Sequence, residues 1–144
     1  DEPVSMIDAS SRAEILYLFK ELQGKYNIAF LYITHDIATA KHFSDKIAVM
    51  YLGKVVESGR TWDVIERALH PYTRALIEAV PDPDPDNRFK ERKVVPGEPP
   101  SPINPPKGCS FHPRCPEATD ICRREEPILL DAKNGHSVAC HLLH

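Results

Sequence analysis

The sequence predicts an α/β fold followed by a proline-rich, irregular, cysteine-containing extension, and three observations carry that reading. Apolar residues recur at helical spacing between Ser10 and Gln23, and a continuous apolar run, Ile28-Ala29-Phe30-Leu31-Tyr32-Ile33, follows them. Two strand-like stretches then flank Leu52-Gly53. Beyond Pro81 the composition changes: nine of the 14 prolines fall between Pro81 and Pro106, and all four cysteines come later.

Taken in order, Asp1-Glu2-Pro3 reads as a loop, because Pro3 cannot sit in a central strand. Ile15, Leu18, Phe19 and Leu22 make one apolar helix face. Ser11 and Glu14 have the spacing of a capping box, and Gly24 is the expected stop. The run 28–33 suits a strand buried on both faces, as in a parallel sheet reached by a right-handed crossover. Thr34-His35-Asp36 opens a short helix to about Phe43. Lys46–Tyr51 and Lys54–Glu57 form a hairpin. Thr61 is expected to cap a helix to about Ala68, and Pro71 to start one that reaches Val80. Asp82-Pro83-Asp84-Pro85 and Pro99-Pro100-Ser101-Pro102 exclude helix and predict an extended connector. The expected division is residues 1–80 and 81–144.

Length and charge narrow the function. The 144 residues allow one small domain or a lobe with an extension. A net charge of −3 lacks the basic stripe of a nucleic-acid binder. No apolar run reaches the roughly 18 residues that span a bilayer. The chain starts at Asp1 without a secretory leader, and is read as a fragment or a processed chain. Metal binding is therefore preferred over disulfides for the cysteines.

Asp1-Glu2 has the chemistry of a nucleotide-hydrolysing site. One carboxylate helps to hold Mg²⁺ and the other orients or deprotonates water. Alone, such a pair is ordinary solvated surface. His35 directly follows the apolar run, where α/β folds place ligand-binding groups, and an imidazole there can bond a terminal phosphate. A helix-capping or buried histidine is the plainer alternative.

The order Asp1-Glu2-Pro3, Ser5-Met6-Ile7-Asp8, helix, apolar strand, Thr34-His35-Asp36 resembles the second half of an ABC-type ATPase. By that resemblance the fold is the C-terminal part of a P-loop ABC ATPase domain, with a partial sheet, a hairpin and helices. Asp1 would assist Mg–ATP and Glu2 would act catalytically on water. Ser5 to Asp8 would be the D-loop facing a second ATPase domain, and His35 the switch histidine. Met6 and Ile7 stand where the family usually has a small residue and Leu. No P-loop or signature motif occurs in the sequence, so the chain alone is expected neither to bind ATP tightly nor to hydrolyse it.

His70-Pro71-Tyr72-Thr73 and the stretch Pro105 to Pro116 resemble the oligopeptide, dipeptide and nickel importer branch. That resemblance implies a peripheral subunit on the cytoplasmic side of the membrane, which energises peptide import. Its partners would be a second ATPase subunit, two permease subunits and, indirectly, an extracytoplasmic peptide-binding protein. Cys109, Cys115, Cys122 and Cys140 lack the Cys-x-x-Cys pairing of a zinc ribbon, so spacing alone is a weak metal signal. The resemblance implies a four-iron, four-sulfur cluster at these residues, with zinc as the alternative. A stand-alone metal-binding interaction module is the competing reading of the whole chain. The apolar run 28–33, short of neighbours, predicts self-association.

Overall fold

Asp8 starts the first helix, rather than the capping box expected at Ser11 and Glu14. Its carboxylate accepts the Ser11 N–H at 3.1 Å, and helix α1 runs Ala9–Tyr26. Gly24 does not stop it; Asn27 does, in the left-handed conformation at φ 52°. The computed structural model describes residues 1–80, 95 and 97–143, in two compact units, Asp1–Ser44 and Asp45–His144.

In the first unit α1 precedes α2 (Ile37–Phe43), which Asp36 caps by accepting the Thr39 N–H at 3.1 Å. The stretch 28–33 is not a strand. A strand needs lateral partners, and among the described residues the stretch shows one backbone bond at its end, Glu2 N–H to the Ile33 carbonyl at 2.9 Å. It is also not buried on both faces: Leu31 is 90% exposed and Ile33 53%. The expected parallel crossover falls with it. Phe30 instead stacks on Phe19 of α1 at 5.6 Å, and Tyr32 meets Phe43 of α2 edge-on at 5.5 Å.

The second unit is built on one antiparallel sheet of four strands in the order β1-β2-β4-β3. Strands β1 (Lys46–Tyr51) and β2 (Lys54–Arg60) form the expected hairpin. Leu52 and Gly53 both have positive φ, 46° and 77°, as the tight turn between twisted strands demands. β2 outlasts its expected end at Glu57 because Ser58, Gly59 and Arg60 still pair with Ala48, Ile47 and Lys46 of β1, and Glu57 and Ser58 also find a second partner, β4 (His136–Val138). Helices α3 (Thr61–Glu66) and α4 (Pro71–Glu78) follow, shorter than expected at their C-terminal ends.

The extension is not irregular throughout. It contains a 3₁₀ turn at His112–Arg114, helix α5 (Asp120–Arg124), and strands β3 (Leu130–Lys133) and β4 (His136–Val138). β3 and β4 join through Asn134-Gly135, both at positive φ. Of the proline-rich connector, residues 81–94 and 96 lie outside the described residues.

The core shows why the extension docks. Val49, Tyr51, Val56 and Val64 surround Phe111, which comes from the extension and is 1% exposed. Tyr51 and Tyr72 approach its ring to 5.3 and 5.4 Å. Each such aromatic pair adds about 0.5–1.5 kcal/mol beyond area burial. Ion pairs Arg74–Glu117 and Lys54–Glu126 tie the rim, contributing little individually.

Candidate functional site

The first unit brings Glu2 and His35 together. Glu2 sits at positive φ, 46°, a strained conformation for this residue type. Its Oε1 accepts the His35 backbone N–H at 2.9 Å and meets His35 Nδ1 at 2.7 Å. The imidazole bond holds the Glu2 carboxyl below its usual range. An ionised carboxylate only accepts, so Nδ1 carries the proton and Nε2 is left outward. The His35 side chain is 83% exposed, available to a ligand. A carboxylate so paired can take a proton while the ring turns to another acceptor.

Asp8 is occupied differently. Beyond capping α1 it accepts the Ser10 hydroxyl at 2.6 Å, and these bonds hold its carboxyl strongly ionised. Asp1 is exposed. Arg12, which the sequence reading passed over, donates to the Ile7 carbonyl at 3.3 Å and to Asp36 at 3.5 Å, tying the loop before α1 to the cap of α2. Its signal was faint, since an arginine one turn into a helix is ordinary.

In the second unit the four cysteines are all free of disulfides, Cys122 and Cys140 buried and Cys109 and Cys115 partly so. Gly108 makes their approach possible. It adopts φ 75°, and the Cys109 N–H donates to the Cys122 carbonyl at 2.9 Å. Burial pushes the thiols of Cys109, Cys115 and Cys140 up. Neighbouring thiols add to this: Cys122 acts on Cys109, and Cys109 on both Cys115 and Cys140. The four side chains therefore gather in one region. They do not close on a point: among the described residues no three His, Cys, Asp or Glu are grouped to hold one metal ion. Four thiols are a donor set that zinc and an iron–sulfur cluster share.

The nearby histidines are engaged elsewhere. His112 Nδ1 lies 2.9 Å from the Cys109 carbonyl and His141 Nε2 2.9 Å from the Glu125 carbonyl. His144 lies outside the described residues. Arg114 reaches the Val95 carbonyl at 3.5 Å, in keeping with a structural role. Trp62 lies in the first turn of α3 and is 63% exposed. In His70-Pro71-Tyr72, His70 Nδ1 accepts the Tyr72 N–H at 3.0 Å to cap α4, Pro71 starts the helix, and Tyr72 packs on Tyr51 at 4.7 Å. The motif is a packing joint.

Residues 56–122 match the model of the family described as oligopeptide/dipeptide transporter, C-terminal region. Similarity to curated proteins extends further. The chain is 47% identical over 143 residues to the oligopeptide transport ATP-binding protein AppF of Bacillus subtilis, covering 99% of this chain and 44% of that protein. It is 49% identical over 144 residues to a probable peptide ABC transporter ATP-binding protein of Sinorhizobium fredii, covering 99% and 40%. A putative peptide import ATP-binding protein of Brucella ovis is 44% identical over 140 residues, covering 97% and 44%. The chain spans less than half the length of these relatives. No helix among the described residues is long and apolar enough to cross a membrane.

Proposed function

This chain belongs with the ATP-binding subunits of oligopeptide and dipeptide ABC transporters, and from that premise we propose that it completes the hydrolytic site of a longer subunit that energises peptide import. The observation that carries the reading is the 2.7 Å contact between Glu2 and His35. Glu2 accepts a proton from the attacking water as its oxygen bonds the γ-phosphorus and the bond to ADP breaks. His35 restrains Glu2 until a γ-phosphate draws the ring away. Losing that donor raises the basicity of Glu2 at the moment a base is needed. Asp1 assists Mg²⁺, and the loop Ser5 to Asp8 faces a second ATPase subunit. The subunit sits peripherally on the cytoplasmic face, against two permease subunits served by an extracytoplasmic peptide-binding protein. The 144-residue chain by itself, lacking a P-loop sequence, is inactive.

The test is Glu2→Gln in the longer subunit assembled with its transporter. ATP binding is retained and turnover falls by at least about 100-fold. Turnover within threefold of the parent overturns the assignment. The competing reading as a stand-alone metal module has little support, because similarity to ATP-binding proteins covers 99% of the chain, residues 1–55 included.

The four cysteines are the finer part of the proposal. Cys109, Cys115, Cys122 and Cys140 hold a four-iron, four-sulfur cluster, which would cross-link a segment otherwise poor in core. Their free, partly buried thiols leave four donors available for it. Anaerobic visible spectroscopy with iron and sulfide analysis checks it; absence of both elements from anaerobically isolated subunit removes the idea. The exposed run at Leu31 and Ile33 supports self-association of the isolated chain, which a monomer in light scattering would contradict.

A further inference from the structure

Glu57 is a carboxylate with no place in the chemistry above, yet it is 0% exposed and fully bonded. Its Oε1 accepts the Leu69 N–H at 2.8 Å and meets His136 Nε2 at 2.7 Å. Its Oε2 accepts the His70 N–H at 3.0 Å. Two backbone N–H donors arrive on different oxygens, so both oxygens act as acceptors. His136 then carries its proton on Nε2.

Three segments meet at this one side chain. Glu57 belongs to β2, Leu69 and His70 lead into α4, and His136 opens β4. Strand geometry explains the last contact. Glu57 pairs directly with Val138, so His136 is its diagonal neighbour on the same buried face. Gly59 lets the histidine lie close, since a Cβ there would come within 3.3 Å of the His136 Cα. The register continues past β4, where the Ala139 N–H donates to the Val56 carbonyl at 2.8 Å. The next residue is Cys140.

We infer that Glu57 is a positioning residue which couples the strand leading to Cys140 with the start of α4, so that loosening one end loosens the other. The inference rests on neither the identity of any cysteine-bound group nor ATP hydrolysis. The physical basis is that one buried charge serves all three donors. If His136 leaves, Glu57 keeps a buried charge with fewer donors, and its cheapest remedy is to admit water. Water entry opens the bonds to Leu69 and His70 as well. A one-residue slip of β4 would have the same origin, and would turn Cys140 to the opposite face.

The test is amide hydrogen exchange, resolved to single residues, on the purified longer subunit. His136→Phe keeps ring volume and removes the donor, while His136→Gln keeps an N–H near the position of Nε2. We expect His136→Phe to speed exchange at Leu69 and His70 by about tenfold, together with Ala139. His136→Gln is expected to return all three amides to within about threefold of the parent. Exchange at Leu69 and His70 unchanged in His136→Phe, with Ala139 accelerated, overturns the coupling. Equal acceleration in the Phe and Gln variants overturns the role of the hydrogen bond. Should the Phe variant not fold, Glu57→Gln is read at the same amides, where acceleration at both ends is expected and acceleration at one end alone refutes it.

Discussion

A Cβ placed on Gly108 would lie 2.4 Å from the carbonyl oxygen of Cys122. That carbonyl accepts the Cys109 N–H, so the absence of a side chain at 108 is what lets the two cysteine-bearing segments touch. Gly108→Ala combines backbone strain at φ 75° with a clash against main chain that cannot turn aside. The expected loss is roughly 2–6 kcal/mol, seen as a lower urea midpoint. Stability equal to the parent's would mean that the two segments do not meet this way.

Gly59→Ala is the milder counterpart. Its Cβ would sit 3.3 Å from both the His136 Cα and the Val64 Cγ2, with no unusual φ. Small shifts can relieve such crowding, so the expected cost is about 1–3 kcal/mol. The order of the two substitutions in a denaturation series is the check: Gly108→Ala must fall below Gly59→Ala.

His70 makes stability depend on pH. Burial lowers its pKa from 6.5 to about 4, partly offset by the Glu57 charge. Between those values the unfolded chain binds a proton that the folded one refuses. Stability from this group is therefore complete above pH 6.5 and declines as pH falls toward 4, by at most about 3 kcal/mol. His70→Asn retains an oxygen to cap α4 and removes the titration. Urea midpoints measured across this range should show a flatter profile for the variant; identical slopes would dismiss His70 as the source.

His35→Ala tests the Glu2 contact without any nucleotide. The imidazole bond is the leading cause of the lowered Glu2 carboxyl. Its removal should bring Glu2 back toward the ordinary glutamate range in a carbon-detected NMR titration. An unmoved titration would place the cause in the His35 backbone N–H, which the substitution leaves in position.

Local features were legible in the sequence and distant ones were not. The Leu52-Gly53 turn, the Pro71 start of α4 and the Asp36 cap each follow from neighbours a few residues apart. The order of motifs singled out Glu2 and His35 one by one; their contact across 33 residues was a separate finding of the structure. The stretch 28–33 misled because continuous apolarity states only that a segment seeks cover, whereas a strand also needs partners. Asp8 outcompeted Ser11 for the helix start because its carboxylate reaches the free N–H groups. Asn134-Gly135 is a strong hairpin signal that the proline and cysteine bias of the extension obscured. Glu57 had no signal at all: a glutamate in a strand looks solvated, and its partner His136 is 79 residues away.

That separation also sets a schedule. A ribosome moving at about 5–20 residues per second makes Glu57 roughly 4–16 seconds before it makes His136. Throughout that interval β2 waits with one edge bare and a carboxylate destined for the interior still in water. The hairpin can form at once, but the sheet cannot close. Closure of β2 against β4 is thus a late event in the life of the nascent chain, and it certifies that translation has passed Val138. A chain interrupted in the proline-rich stretch would carry its open edge permanently, as a mark that a chaperone or protease can recognise.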